Sequence, residues 1–223
     1  MIIVSGGNTL YAMDLWHKCG LATLLREAAD RGAVLAGGSA GAICWFDGGH
    51  SDSADPDTYK NAMLQTELKI GQDESSSLSE GAAVKEWQYI RVPCLSLFPG
   101  LVCPHADSVQ SNGILRMTDF DAMMLRHGGE RGICIDHFAA LIVEENQYQV
   151  LSLQGRPGSV MPDGSWSISR EGVPGVWQKD VVNGNLETQL VASIGTLASL
   201  FKVADDITQD THLEQCRLDN PLE

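Results

Sequence analysis

The segment Gly37-Gly38-Ser39-Ala40-Gly41 constrains this chain more than any other. It follows an apolar run, Ala33 to Ala36, and leads into Ala42 to Phe46, which reads as helical. Strand, small-residue turn and helix together form the repeating unit of parallel α/β architecture. The segment also fits G-x-S-x-G, in which small neighbours let the chain turn sharply and lift a serine hydroxyl above the sheet. The helix behind such a turn aims its first N–H groups at negative charge developing near the serine. The plainer reading is a glycine-rich βα turn in which Ser39 only caps a helix.

A second glycine turn, Ser5-Gly6-Gly7-Asn8-Thr9, ends the opening apolar strand and carries cap residues for the next helix. Acyl transfer needs two N–H donors for an oxyanion. Ala40, next after the serine, supplies one by position, and a glycine turn on a neighbouring strand can supply the other. Read alone, Gly6-Gly7 is a well-capped helix entry.

Beyond this core the pattern changes. From Gly48 to about Glu86, Ser, Asp, Glu and Gly dominate, which predicts a long polar excursion over 48–86 with a short helix near Ala62 to Leu68. Leu95 to Phe98, Leu101 to Cys103 and Gly132 to Ile135 read as strands, and Val109 to Leu125 reads as a helix. Ala140 to Glu144 and Tyr148 to Leu153 flank a turn at Glu145-Asn146, a hairpin signal, and Asp163-Gly164 marks a second. Leu186 to Val203 has helical spacing. Residues 1–223 therefore read as one α/β domain, with 154–223 as a C-terminal extension of hairpins and a helix.

Three observations narrow the function class. A net charge of −14 argues against nucleic acid and anionic membranes, whose binders are usually basic. The six cysteines are scattered, with no C-x-x-C pair, and read as reduced core residues of a cytoplasmic protein. Apolar runs are too short for a membrane span, and Met1 leads straight into strand-like Ile-Ile-Val rather than a secretion signal.

A serine nucleophile needs a base, and six histidines are present. His105 lies just past the apolar strand Leu101 to Cys103, where catalytic loops begin. His17 sits on a helix, His50 at the edge of the polar excursion, His127 at a helix end, His137 beside Asp136, and His212 in the polar tail. For the third member, Asp136 ends the buried strand Gly132 to Ile135, and Asp107 is a local alternative. The order nucleophile, acid, histidine of α/β-hydrolases would instead select His212 with Asp205 or Asp206. Those residues lack a strand end, so Ser39, His105 and Asp136 form the preferred set.

Taken together, Gly6-Gly7-Asn8-Thr9, Gly38-Ser39-Ala40-Gly41-Ala42 followed by Cys44-Trp45-Phe46, Cys103-Pro104-His105, and Gly132 to Leu141 resemble peptidase family S51, the dipeptidase E-like serine peptidases. The resemblance covers roughly Met1 to Leu153. It implies a parallel-sheet α/β sandwich of the class I glutamine amidotransferase-like type. It also implies Ser39 as nucleophile, His105 as base, and Gly7 and Ala40 as oxyanion donors. Family members cleave short peptides, the best known favouring N-terminal aspartate, and a related branch hydrolyses cyanophycin. Two departures stand out. The family's I-D-[DE] segment is Ile135-Asp136-His137 here, which puts a histidine where the third carboxylate is often placed. The family normally has further βα units before the G-G-N-T strand, and this sequence opens in that strand, as a truncated product, a misplaced start or a true variant would. Aspartate preference in the family depends on an arginine after the histidine; Arg116 is a possible counterpart, and an ordinary solvated helix arginine is the alternative.

The resulting expectation is a serine hydrolase, monomeric or homodimeric, acting on short peptides without metal or organic cofactor. A silent remnant that binds a small molecule or partner is the competing class, and a non-peptidase amidohydrolase such as a cyanophycinase-like enzyme is a third reading.

Overall fold

The computed structural model describes residues 1–56, 58, 86–153 and 174–201. Strand β1 (Ile2–Val4) leads through the G-G-N-T turn into α1 (Thr9–Lys18) and α2 (Leu21–Asp30), and β2 (Leu35–Gly37) returns parallel to β1. The Asn8 side chain caps α1 by accepting the Tyr11 N–H, and His17 and Lys18 stand at its C-terminus, where positive character is favoured. Gly20, in the left-handed region, joins the two helices. α1 buries Met13, and α2 buries Ala22 and Leu25.

After Ser39 comes one turn of helix, α3 (Ala40–Ile43), and the chain enters a six-stranded sheet in the order β10-β9-β6-β5-β3-β4. Its centre is parallel: β3 (Phe46–Ser51), β5 (Phe98–Pro104) and β6 (Gly132–Ile135). Antiparallel strands flank it, β4 (Ile90–Pro93) on one side and the hairpin of β9 (Val176–Val182) and β10 (Asn185–Leu190) on the other. Helix α4 (Arg116–Arg126) covers this sheet, with Phe120, Met123 and Met124 packed against Leu101, Cys103 and Cys134. A third, antiparallel sheet holds β7 (Ala139–Glu144), β8 (Gln147–Ser152) and β11 (Ile194–Thr196), and α5 (Leu197–Leu200) follows. The architecture is α/β with mixed sheets.

The hairpin at Glu145-Asn146 and the strand Gly132–Ile135 lie where the pattern placed them. Five expectations change. Leu95 to Leu97 form no strand and lead into β5, which begins at Phe98. The helix expected over Ala42 to Phe46 stops at Ile43, and Phe46 already opens β3. The polar excursion does not start at Gly48, because Gly48 to Ser51 belong to β3. The predicted helix from Val109 is shorter: Val109 bridges Leu115 and the helix begins at Arg116. The helical reading of Leu186 to Val203 gives way to β10, β11 and a four-residue α5. Leu186 and Leu190 are four apart, a spacing that fits one face of a helix and, being even, one face of a strand equally well. Asn183-Gly184, both with positive φ, is the hairpin turn that decides between them. Ala62 to Leu68, Asp163-Gly164, His212 and Asp205-Asp206 lie outside the described residues.

The cysteines Cys44, Cys94, Cys103 and Cys134 are buried and unpaired by disulfides, and Cys19 is exposed. No helix among the described residues is long and apolar enough to cross a membrane.

Candidate active site

Ser39 joins β2 to α3 with φ 55 and ψ −121, a conformation sparsely populated for a residue with a side chain. The turn tolerates it because the chain around it is stripped of side chains. A Cβ on Gly41 would be driven into the Val4 carbonyl, so β1 and α3 can approach only with glycine there. Gly6 lies against the serine: a Cβ on it would sit 3.3 Å from the Ser39 Cβ and 3.6 Å from its Oγ. Gly7, at φ 148, carries the backbone past this point in a conformation that favours glycine. The two glycine turns named from sequence therefore meet at Ser39. Among the described residues, neither the Gly7 nor the Ala40 N–H donates to a backbone carbonyl.

The G-G-N-T turn is fastened to the far end of β3. Asn8 Nδ2 donates to the Ser53 carbonyl (3.1 Å), the Leu10 N–H donates to Ser53 Oγ (3.1 Å), and Ser51 Oγ reaches Thr9 Oγ1 (3.2 Å). These bonds satisfy an N-terminal donor of α1 that the helix itself cannot.

His105 stands at the end of β5, itself at positive φ (91), with its N–H donating to the Ile135 carbonyl (2.9 Å). Its Nε2 lies 3.1 Å from Ser39 Oγ. Arg116 Nη1 lies 3.3 Å from the same nitrogen. A guanidinium can only donate, so this contact requires Nε2 to be unprotonated and to accept, which places the ring proton on Nδ1. That is the tautomer a base needs. Burial, then the Arg116 charge, then His137 and His50 push the His105 pKa down to about 3, so the ring is neutral at ordinary pH.

Arg116 is 1% exposed, so the solvated helix arginine considered from sequence is not what the fold makes of it. Nη2 donates to the His50 carbonyl (2.6 Å), Nη1 is 3.6 Å from Asp52 Oδ2, and the guanidinium lies over the Tyr89 ring at 5.1 Å. Its Nε is buried without an acceptor among the described residues. A buried cation held by a carbonyl, a ring face and one long ion pair is undercommitted, which is costly unless another group completes it.

His50, expected at the rim of a polar loop, is fully buried on β3. Its Nε2 pairs with Asp119 Oδ1 at 2.8 Å, and its ring stacks on Tyr89 at 4.0 Å. Burial works against a charged ring, but Cys103 and Asp119 outweigh it and raise the His50 pKa. This group was not legible because Gly48-Gly49 looked like loop. A Cβ on Gly49 would come within 2.7 Å of the Val102 carbonyl and the Ile43 side chain, so glycine there marks dense packing.

Asp136 is 2% exposed, and its Oδ2 accepts from the Gly175 N–H (2.8 Å) and Trp177 Nε1 (3.2 Å). Its Oδ1 has no partner among the described residues, and no hydrogen bond joins the carboxyl to His105. The Asp136 N–H also bonds Gly175 O, so backbone and side chain of Asp136 are both tied to the segment that opens β9. Burial, aided by repulsion from Asp107, raises its pKa to about 7 against the bonds from Gly175 and Trp177. The adjacent His137 is exposed; its N–H donates to Asp107 Oδ1 (2.9 Å), and its ring meets the His105 ring edge-on at 6.4 Å. Of the other histidines, His17 is exposed near the end of α1, and His127 ends α4 beside Glu130. No cluster of metal-ligating side chains occurs among the described residues.

A serine in a sparsely populated conformation on a strand-to-helix turn thus lies within hydrogen-bond reach of a histidine at the end of β5, the relative placement that a nucleophile and its base require. The sequence model of peptidase family S51 matches residues 1–151, and the chain belongs to that family. Among curated proteins, one named G2/mitotic-specific cyclin-1 from Trypanosoma brucei brucei is 34% identical over 177 residues, 79% of this chain and 49% of that protein. Uncharacterized peptidase YgaJ from Bacillus subtilis (strain 168) is 55% identical over 63 residues, 28% of this chain and 27% of that protein. The chain thus spans about half the length of the first relative and about a quarter of the second.

Proposed function

We propose that this chain is a serine peptidase that hydrolyses a peptide bond in short peptides through an acyl-enzyme. The observation that carries this reading is the 3.1 Å approach of Ser39 Oγ to an unprotonated His105 Nε2, with Ser39 held in a nucleophile-type turn. In the reaction, the Ser39 proton passes to Nε2 as Oγ bonds the carbonyl carbon and the carbonyl electron pair moves onto oxygen. The Gly7 and Ala40 N–H groups, on the two turns that meet there, receive the oxyanion. His105 then protonates the leaving amine, and water repeats the sequence to release the acid. Arg116 lies beside His105, where a substrate carboxylate would complete its bonding. Asp136 enters this mechanism through the strand end it braces, since its carboxyl bonds Gly175 and Trp177. The parallel centre of the six-stranded sheet and its hairpin flank support a class I amidotransferase-like sandwich, and a cytoplasmic setting suits the four buried free thiols.

The test is hydrolysis of a dipeptide panel by the purified chain beside Ser39→Ala. Turnover that falls by about a thousandfold or more in the variant supports the serine mechanism. Turnover that survives it moves the chemistry elsewhere. One observation favours a second reading, a silent binding remnant: the Asp136 carboxyl bonds Gly175 and Trp177 and makes no hydrogen bond to His105. A folded sample that turns over no peptide yet binds one would establish that alternative.

A further inference from the structure

Two donors converge on one lone pair. Ser39 Oγ and Arg116 Nη1 lie 3.1 and 3.3 Å from the same His105 nitrogen, and a neutral imidazole offers a single acceptor site. The serine must hold that site for its proton to leave. The guanidinium competes for it in bond and in charge, because an imidazolium forming next to a fixed cation is disfavoured. We infer that Arg116 gates the catalytic base: it occupies the Nε2 lone pair of His105 until an anionic group of the substrate draws the guanidinium away, so that substrate charge acts on the chemical step as well as on binding.

This inference rests on the peptidase reading and goes beyond it, since an arginine that only grips a carboxylate would leave the base untouched. Three features of the site carry it. Arg116 has spare bonding capacity among the described residues, because its Nε lacks an acceptor there and the carboxylate it pairs with, Asp52, is at 3.6 Å. The guanidinium is anchored by the short bond from Nη2 to the His50 carbonyl (2.6 Å), whereas Nη1, the nitrogen beside His105, has only the long Asp52 pair and the Tyr89 face around it, so a pivot about the Nη2 anchor can carry Nη1 towards a substrate carboxylate. The positive groups around His105 all oppose its protonation. Arg116 faces it from α4, His50 from β3 and His137 from the segment after β6, all depressing its basicity together with burial. The buried Asp107 accepts from the His137 N–H, and Asp136 from Gly175 and Trp177.

In the free enzyme the base is neutral far into the acid range. In the complex with an acidic substrate the guanidinium is neutralised, and the imidazole becomes a stronger base with a higher pKa. Profiles of kcat/KM report the free enzyme and those of kcat report the complex. With an acidic substrate, kcat should therefore lose activity on the acid side at a higher pH than kcat/KM does.

Two measurements decide the matter. The first is kinetic and uses a dipeptide pair differing only in carboxylate against carboxamide, with the wild-type chain and Arg116→Gln. The expected result is a wild-type preference for the carboxylate expressed in kcat, and a severalfold rise in kcat on the carboxamide in the variant. A preference confined to KM, or a carboxamide kcat that does not rise, overturns the inference. The second does not need turnover or a buried substitution: the His105 ring is titrated by NMR in Ser39→Ala, with and without succinate. An upward shift of about one pH unit or more with saturating succinate, absent with succinamide, supports the gate. An unmoved midpoint with succinate shown to be bound, or no succinate binding at all, overturns it. If no peptide is cleaved, the peptidase reading fails, while the titration still reports on the contact between Arg116 and His105.

Discussion

The proposed base and the proposed nucleophile are mounted on very different supports. His105 ends β5, a strand of the six-stranded sheet whose residues Leu101, Val102 and Cys103 are completely buried between β3 and β6. Ser39 ends β2, half of a separate two-stranded sheet of three-residue strands, in which Ile3 is 67% exposed. Two-stranded pieces have little stability of their own. Ser39 therefore depends on close backbone approach at Gly41 and on the clamp from Ser51 and Ser53, where His105 depends on core packing. Precision at the serine comes from a few local contacts, and each of them is a point of failure.

The comparison is broken most severely at Gly41. Gly41→Val drives side-chain atoms into the Val4 carbonyl, and kcat/KM is expected to fall at least a hundredfold, with a melting temperature lowered by several degrees, as overpacking of about 1–3 kcal/mol implies. A variant with full activity would show that the serine turn does not need this approach.

Asp136→Asn sharpens the other side. An aspartate that orients a catalytic histidine costs about 10⁴ in kcat when changed to asparagine. Here the carboxyl bonds Gly175 and Trp177, so a loss below tenfold is expected. Stability should respond with a definite sign. The folded chain keeps the Asp136 proton up to about pH 7, well above its unfolded value, so this group lowers stability progressively as pH rises from about 4 to about 7. Denaturant titrations should find the asparagine variant more stable than wild type above pH 7, by an amount of order 1–3 kcal/mol, and equal to it near pH 4. A large kcat loss would return Asp136 to the triad.

Ser53→Ala removes the acceptor for the Leu10 N–H and is expected to cost about 1 kcal/mol in melts and a severalfold drop in kcat, with KM little changed. Smallest is Ile3→Ser, which alters an exposed position of the thin sheet and should move stability by less than about 0.5 kcal/mol and leave turnover intact. A marked effect there would mean that this surface matters to the serine after all.

What could be read in the sequence follows the same division. The serine turn, the strand Gly132–Ile135 and the hairpin at Glu145-Asn146 are local features, encoded by runs and turns a few residues long. The position of His105 was visible because a strand end is also local. Arg116 was named only through the family resemblance and His50 only as the edge of a loop; their burial was hidden, because burial of a charged side chain is decided by what packs over it from β3, β4 and α4, which no spacing announces. Asp136 was found as a strand-end carboxylate, but the direction of its side chain depends on Gly175, thirty-nine residues on. β10 was missed for a different reason: Asn183-Gly184 was there to be read, and the four-residue spacing of Leu186 and Leu190 answered to both periods.

The Tyr89 ring has a consequence of another kind. It stacks on His50, carries the Arg116 guanidinium and meets the Trp87 indole edge-on at 4.8 Å. Trp87 is only 8% exposed, and its indole N–H is tied to Ser111 Oγ at 2.9 Å. A cation moving over Tyr89 changes the field at a rigid fluorophore one ring away. The site thus carries its own optical reporter, and emission from Trp87 should follow ligand capture in real time, with no label attached.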